Sequence, residues 1–513
     1  MMNQLTKSAP AGEFGLVKSR RLAVTILLFV ALITLSPRQA AESGQAPVLA
    51  YSLSIPSLEN ERAQVSLLIT LADRRSPLVI RSVPFYMDNP VAAADGPLVT
   101  SLTAKDPNAG VMLRTETSQD KSGETLVAIE NPGPTTLIEY EVHLRLRESD
   151  QTRDYPIRIP YMNRKQALLY GNYLFCYPEL GEDKQKSVSA PLKIDVDFKP
   201  PAGAAFWGIT PRFSVRSIYQ LMSLQFGVGD FAGEKAGTNE SQLSVVYERI
   251  GDFTKGERKA LKSIVPRAFS EVSELFGGAP FDHFSVLIFR DQALGGMEGT
   301  FACQVFGPRD LDVSNAAQVR VRNFYSVITH EIFHAWNPIS LYPREDPWVK
   351  EGVTNYYGEV LSARAGLLEQ DDLDNSFRYY ERQLDENKLI SRLVLTDPRL
   401  WENEYLNEDW RTVTYDRGKA VALLLDLEIR ERSGNRQSLD DVMRFLYREY
   451  RDESYSHEDL AEAAEKATGV ELSHFFRDYV AGNRLPSKKE IEAARKRIVE
   501  LGVLSPAVAE PVG

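Results

Sequence analysis

The stretch VITHEIFHAWN (Val327–Asn337) places two of the six histidines of this chain four positions apart. Apolar residues recur at nearly helical spacing through the surrounding sequence. Side chains four residues apart lie on the same face of a helix. The sequence therefore predicts a helix from Val319 to Trp336 that presents His330 and His334 side by side.

The two imidazoles form a candidate metal site. Imidazole nitrogens bind zinc at about 2.0–2.1 Å, so two on one helix face can reach one ion. Glu331 lies about 100° around the helix from His330 and can reach a metal-bound water without binding the metal. Histidines on an apolar helix face are more often hydrogen-bonded core residues, which is the alternative. The pattern H-E-x-x-H carries a known mechanism and favours the metal.

A catalytic zinc usually has three protein ligands, and the downstream sequence offers a third. The stretch Glu345–Gly366 predicts a second helix, with Asp346 as its N-cap and Pro347 as its first residue. Glu351 falls near the start of that helix among apolar residues, and a buried carboxylate needs a partner or a metal. The alternative is a surface glutamate that the helix dipole favours.

Length and charge limit the class of protein. A chain of 513 residues predicts two to four domains. The net charge of −11 argues against a nucleic-acid partner, which usually needs a clustered basic surface. The fold has to be held by its core, because we expect the two cysteines, Cys176 and Cys303, not to form a disulfide.

The N-terminus has the pattern of a secretory signal. Lys18, Arg20 and Arg21 precede the uncharged run Leu22–Leu35, which is short for a membrane span. We therefore expect a signal peptide over residues 1–43 and an exported protein, periplasmic or secreted. The alternative is an uncleaved segment that anchors the protein to the membrane.

The order of strand-like and helix-like segments predicts a multidomain α+β fold class. Short, partly alternating runs over residues 47–165 predict an N-terminal β-sandwich-like domain. Residues 166–366 mix sheet and helix, including the amphipathic helix Gly256–Gly278 and the apolar strand Phe284–Asp291. Residues 367–505 predict a C-terminal helical domain. Its helices have capping boxes at Ser438 with Asp441, Ser456 with Asp459 and Ser487 with Glu490, and stop signals at Gly434, Gly469 and Gly502.

Four blocks of sequence match one known pattern when they are taken together. They are HEIFHAWN, WVKEGVTNYYGE, the segment Thr414–Tyr447 and FFRDYVAGNRLP. Together they resemble the glycyl aminopeptidase family of gluzincin metallopeptidases, over residues 170–510. The resemblance implies a thermolysin-like catalytic domain over residues 166–366. It also implies one zinc ion per chain, bound by His330, His334 and Glu351, with Glu331 as the general base. The connection from His334 to Glu351 is shorter than is usual in that family.

The resemblance also assigns an oxyanion donor. Tyr415 stands just before a predicted helix whose expected N-cap is Asp416, and its hydroxyl would take this role. Losing one such donor typically costs about 10²–10³ in turnover. The alternative is a packed aromatic residue without a catalytic role.

A glycine-rich segment follows the predicted strand and is the candidate substrate-binding region. An exposed edge strand can hold an extended peptide by main-chain hydrogen bonds, and glycines allow close backbone approach. Here Gly295, Gly296 and Met297 would contact the peptide, and Glu298 would bind its free α-ammonium. The family motif is broken at the next position, Gly299. The alternative is a β-bulge with a surface glutamate.

These residues predict an exported zinc aminopeptidase that removes small N-terminal residues from peptides. The preference for small residues comes from the resemblance alone. Three alternatives stay open: a zinc endopeptidase, a zinc hydrolase of non-peptide substrates, and a catalytically inactive binding scaffold. The expected partner is a peptide substrate, with a membrane involved only if the N-terminal segment stays as an anchor.

Overall fold

The computed structural model describes residues 47–71, 77–82, 99–119, 124–144, 160–180, 188–236, 242–344, 346–403 and 407–504. All of them belong to one unit that spans Ala46–Gly513. The predicted signal peptide over residues 1–43 lies outside the described residues. None of the described helices has the length and apolar character that a membrane crossing requires.

Strands dominate the first half of the described chain. The described strands are β1 (Val48–Ser54), β2 (Arg62–Thr70), β3 (Leu78–Ser82), β4 (Val99–Asp106), β5 (Val111–Met112), β6 (Thr115–Gln119), β7 (Thr125–Ile129), β8 (Thr135–His143), β9 (Tyr161–Met162), β10 (Gln166–Tyr170), β11 (Tyr177–Pro178), β12 (Lys193–Lys199), β13 (Phe206–Trp207), β14 (Arg212–Val215), β15 (Gln225–Gly229), β16 (Ala232–Ala236), β17 (Gln242–Tyr247), β18 (His283–Asp291), β19 (Gly295–Met297), β20 (Ala302–Pro308), β21 (Tyr342–Pro343) and β22 (Ser454–Tyr455). Among the described residues, the largest sheet has seven strands in the order β14-β12-β1-β2-β8-β4-β5. Alternate residues of β8 are buried, as expected for a strand with one face toward a core.

The largest sheet extends along the chain beyond the predicted boundary at residue 165. Its strand β12 pairs in parallel with β1, and β14 pairs with β12. These two strands lie in the segment that the sequence assigned to the catalytic domain. The buried cysteines Cys176 and Cys303 form no disulfide, as predicted.

A second, mixed sheet carries the candidate substrate-binding region. Its five strands have the order β16-β17-β18-β20-β19, with β18 at the centre and the glycine-rich β19 at the edge. The apolar strand and the edge strand are thus confirmed. The predicted amphipathic helix is also confirmed. It runs from Lys255 to Phe276, begins with a capping box between Thr254 and Glu257, and ends at Gly277 with φ of 76°.

Helices dominate the described chain after β20. The three capping boxes at Ser438, Ser456 and Ser487 are confirmed, as are the left-handed ends at Gly434 and Gly469. Three segments, Trp348–Val353, Thr412–Arg417 and Phe476–Val480, have π-helical geometry. The α-helices are α1 (Gly171–Leu174), α2 (Ile218–Met222), α3 (Lys255–Phe276), α4 (Val319–Phe333), α5 (Thr354–Arg364), α6 (Gln370–Glu386), α7 (Arg399–Asn403), α8 (Glu408–Arg411), α9 (Gly418–Ser433), α10 (Leu439–Tyr450), α11 (His457–Thr468), α12 (Ser473–Phe475) and α13 (Lys488–Glu500).

The predicted helix after Asp346 begins at Pro347 as expected, but the carboxylate of Asp346 caps another helix. It accepts a hydrogen bond from the backbone N–H of His457 at 2.8 Å, at the start of α11. The predicted helix start at Asp416 is wrong. Asp416 lies inside a helical run that begins earlier, at α8, where the Asn407 side chain accepts from the N–H of Asp409 at 3.0 Å. Aspartate is favourable as an N-cap, but the local sequence did not show that the helical run at Asp416 already begins at Glu408.

Two glycines lie where two of the π-helical segments approach each other: Gly352 in Trp348–Val353, and Gly418 directly after Thr412–Arg417, at the start of α9. A Cβ atom on Gly352 would lie 2.5 Å from the Cα of Gly418, and one on Gly418 would lie 2.9 Å from the Cα of Gly352. Only glycine allows this approach, because both obstructions are backbone atoms. The contact sets the separation between the segment that carries Glu351 and the segment that carries Tyr415.

Replacing Gly352 with alanine should destabilise the protein. The added Cβ would press on backbone atoms, and overpacking of this kind typically costs about 1–3 kcal/mol. A lower midpoint of urea denaturation would report it. Gly251→Ala is the control, because a Cβ there meets nothing within 4 Å. Equal midpoints for the two variants would contradict the proposed contact.

Candidate metal centre

The residues of the predicted metal site lie on two helical segments packed against each other. His330 and Glu331 occupy the last turn of α4, and His334 follows directly as its cap residue. Glu351 lies in the π-helical segment Trp348–Val353, which continues into α5. The two segments approach closely where Gly358 faces His330, since a Cβ on this glycine would lie 3.1 Å from the histidine Cβ.

Three donor atoms converge between these segments. The Nε2 atoms of His330 and His334 are 2.9 Å apart, and Oε2 of Glu351 lies 3.5 Å from the first and 3.4 Å from the second. In a tetrahedral zinc site with bonds of about 2.0–2.1 Å, two ligand atoms lie about 3.3–3.4 Å apart. The two contacts with Glu351 match that separation. The three side chains are therefore chemically and spatially suited to share one zinc ion.

A backbone carbonyl orients one of the histidines. Nδ1 of His334 lies 2.8 Å from the carbonyl oxygen of Asn337 and donates to it, which leaves Nε2 free to face the other donors. The Asn337 side chain donates in turn to the carbonyl of Val349 at 2.9 Å. This amide fastens the short connection between the two helical segments. Asn337 ends the quoted stretch, but no spacing rule marks an orienting amide in a sequence.

Lys350 belongs to this site, and sequence reasoning missed it. Its ammonium nitrogen lies 3.0 Å from Oε1 of Glu351 and 3.0 Å from Oε1 of Glu298. Glu351 thus turns one oxygen to the histidines and the other to Lys350. A lysine beside a glutamate near a helix start ordinarily suggests exposure. The only signal for burial was the apolar sequence around it.

The edge strand β19 brings Glu298 and Glu331 to the same place. Glu298 directly follows the strand and is buried, so the alternative of a surface glutamate is wrong. A Cβ on Gly296 would overlap the carboxylate of Glu331, so the strand backbone lies against that side chain. Glu331 has an oxygen without a hydrogen-bond partner among the described residues. Its other oxygen lies 4.0 Å from Nε2 of His330.

Tyr415 lies beside the histidines. Its ring is nearly parallel to that of His330, with 6.5 Å between the ring centroids and 11° between the planes. The guanidinium of Arg411 lies 5.2 Å from the centroid of the Tyr415 ring. The structure therefore brings the predicted oxyanion donor to the edge of the predicted metal site.

The carboxyl groups of the site have opposite pKa shifts. Burial raises the pKa of Glu331 well above its usual range. Burial acts in the same direction on Glu351, but Lys350 and His334 outweigh it and hold the pKa of Glu351 well below its usual range. The same balance of burial against Lys350 lowers the pKa of Glu298. Neighbouring carboxyl groups whose pKa values are shifted in opposite directions are typical of sites that transfer protons.

Comparison with protein families gives one match, which includes all of the candidate metal ligands. Residues 264–479 match the peptidase family M1 domain, and this range is less than half of the chain. Enzymes of this family are zinc-dependent gluzincins. A search of curated proteins found no match. The narrower resemblance to glycyl aminopeptidases stays a prediction.

Two solved structures share the fold of the described residues. One is the crystal structure of an aminopeptidase N family protein from Idiomarina loihiensis. It has 19% sequence identity and a TM-score of 0.62, and the match covers 87% of this chain and 78% of that chain. The other is native yeast LTA4 hydrolase. It has 14% identity and a TM-score of 0.58, and the match covers 89% of this chain and 71% of that chain. These likenesses support the mixed multidomain α and β fold class.

Replacing Asn337 with alanine should weaken zinc binding. The change removes the amide that holds the backbone at Val349, and outer contacts of this kind typically change metal affinity about 10–100-fold. Competition with a chelator would give the apparent zinc dissociation constant. Asn403→Ala is a control, since that amide donates only to the carbonyl of Arg399 in its own helix. Equal affinities for both variants would contradict the orienting role.

The candidate metal ligands thus lie within the segment that matches the peptidase family M1 domain, and the protein is a hydrolase of the zinc metallopeptidase class.

Proposed function

We propose that this protein hydrolyses peptide bonds with one zinc ion held by His330, His334 and Glu351. The observation that supports this most directly is the convergence of the three donor atoms within 2.9–3.5 Å of one another. When bound, the ion would polarise the substrate carbonyl and lower the pKa of its water to near 7.

Glu331 is the proposed general base. Its carboxylate lies next to the donor atoms without being one of the three converging ligands, and one of its oxygens is available to a water. It would take a proton from the attacking water and give it to the leaving amine. General acid–base help of this kind is worth about 10²–10⁴-fold.

Tyr415 is the proposed donor to the developing oxyanion. Its ring stands over the His330 side of the site, and its side chain is only partly buried. A hydroxyl there would strengthen its hydrogen bond as negative charge builds up on the carbonyl oxygen. The packed-aromatic alternative predicts no loss of turnover when the hydroxyl alone is removed.

The edge strand β19 is the proposed peptide-binding element. It pairs antiparallel with β20 on one side, and its sheet position leaves the other edge without a strand among the described residues. A peptide in extended conformation could pair with it and pass the carboxylate of Glu331, which adjoins Gly296. This arrangement favours a peptide over a small non-peptide substrate.

We propose an aminopeptidase as the first form of this activity. Glu298 lies beside the metal-site residues, where a carboxylate can bind an α-ammonium, and one solved neighbour is described as an aminopeptidase N family protein. The preference for small N-terminal residues still rests on the family resemblance. The contact between Lys350 and Glu298 favours an endopeptidase as the second candidate. Export rests on the sequence pattern of residues 1–43 and stays a prediction.

Variants of the metal ligands and of the base should behave differently. His330→Ala and Glu351→Ala should lose bound zinc, whereas Glu331→Gln should keep it and lose about 10²–10⁴ in turnover. Elemental analysis of dialysed protein and a peptide hydrolysis assay separate the two effects. His474→Ala, which changes a partly exposed histidine outside the site, is the control. Full zinc content in both ligand variants would refute the ligand assignment.

Replacing Tyr415 with phenylalanine should lower kcat more than it raises KM. The hydroxyl is proposed to act on charge that exists only in the transition state, and such a loss typically costs about 10²–10³ in turnover. Steady-state kinetics at saturating zinc would measure it. Tyr447→Phe is the control, because its hydroxyl has no hydrogen-bond partner among the described residues. A change in KM alone would count against the oxyanion role.

A further inference from the structure

We propose that Lys350 is a specificity-determining residue, whose ammonium supplies Glu298 with the positive charge that a substrate N-terminus would otherwise bring. The site would then accept peptides with an uncharged N-terminal side, such as N-acylated peptides, beside peptides with a free α-ammonium. This inference rests on the proposed function, because it concerns the substrates of the same site.

The first support is the position of the ammonium. Lys350 lies 3.0 Å from Glu298 and 3.0 Å from Glu351, and its side chain is 5% exposed. An α-ammonium that binds Glu298 by an ion pair needs the same region of space. Lys350 therefore stands where it competes with the charged end of a substrate.

The second support is the fixed position of Glu298. Its backbone carbonyl accepts a hydrogen bond from the side chain of Gln225. The next segment is held too, because Thr300 donates to the carbonyl of Gln220 through its hydroxyl at 2.6 Å and to that of Ser223 through its N–H at 3.0 Å. Since the backbone is held on both sides of Glu298, its carboxylate is kept within reach of Lys350.

The third support is the proximity of like charges. An α-ammonium bound to Glu298 would lie beside the buried ammonium of Lys350, which is 3.0 Å from the same carboxylate. Two like charges so close in a buried site are unfavourable, whereas without Lys350 the substrate ammonium would meet Glu298 without this repulsion.

The structure also allows a purely positioning role for Lys350. By binding Oε1 of Glu351, it leaves Oε2 for the histidines, and it could act only by orienting this carboxylate. In that case, removing the Lys350 side chain would weaken zinc binding and slow the hydrolysis of every substrate by the same factor. Discrimination between substrates with and without a charged N-terminus separates the two roles.

The experiment compares the zinc-loaded full chain with Lys350→Met, Lys350→Arg and Lys419→Met. Each protein is assayed at pH 7 on alanine p-nitroanilide and on N-acetylalanine p-nitroanilide, and the ratio of their kcat/KM values is the readout. Lys419 is the matched control, because it is also a buried lysine paired with a glutamate, Glu359, at 3.0 Å. Zinc content is measured for every protein.

We expect Lys350→Met to raise the ratio of free to blocked substrate at least about tenfold, because the charge of Glu298 is then unmatched. Lys350→Arg and Lys419→Met should keep the wild-type ratio. An unchanged ratio in Lys350→Met, with both rates lowered by the same factor, would overturn the proposal and leave only the positioning role.

Calorimetry on the metal-free proteins provides a readout that needs no catalysis. Lys350→Met should bind alaninamide at least about tenfold more tightly than the wild type does, whereas N-acetylalaninamide should not distinguish them. If none of the zinc-loaded proteins hydrolyses either anilide, the proposed function fails, and the calorimetry decides the role of Lys350 alone. Equal affinities for alaninamide would then overturn the proposal.

Discussion

The whole site depends on the contacts of the Glu351 carboxylate, whose two oxygens have different partners. One oxygen faces two imidazoles and the other faces the ammonium of Lys350. A buried carboxylate without such partners would be strongly disfavoured, so the fold has to deliver three other side chains to it. The packing of two helical segments, a short connection fastened by Asn337, and an edge strand that ends at Glu298 together meet this requirement.

Two of the site residues lie in irregular helical turns, and a regular α-helix would direct their side chains elsewhere. Glu351 and Tyr415 both lie in π-helical turns, and these turns meet at Gly352 and Gly418. A π-helical turn inserts an extra residue and redirects the side chains on it, and such turns occur frequently at functional sites. The pair of glycines then sets how near the two turns come. The positions of the Glu351 and Tyr415 side chains therefore depend on the backbone conformation as much as on the residue types.

The sequence predicted the elements well where a local pattern determines them. The spacing of His330 and His334 specifies a shared helix face, and the capping boxes at Ser438, Ser456 and Ser487 specify helix starts, since both depend on neighbours within a few residues. The pairing of Lys350 with Glu298 could not be predicted, because it joins a helical segment to a strand end far away in sequence.

The errors had the same origin. Asp346 looked like the cap of its own helix, but its carboxylate is used by α11, more than a hundred positions along the chain. The extent of the seven-stranded sheet was also underestimated, because the parallel partner of β1 is β12, and a parallel pair needs a long crossover that leaves no local signal.

The brevity of β19 has a consequence for the solution behaviour of the protein. A long open sheet edge is a template for strands of other molecules and invites aggregation. Here the exposed ladder spans only three residues, of which two are glycines. It offers few main-chain hydrogen-bonding groups and little side-chain surface to a strand from another protein molecule. Only a peptide that makes additional contacts near the edge would therefore remain bound. An edge this short can therefore stay open to ligands with little risk of self-association.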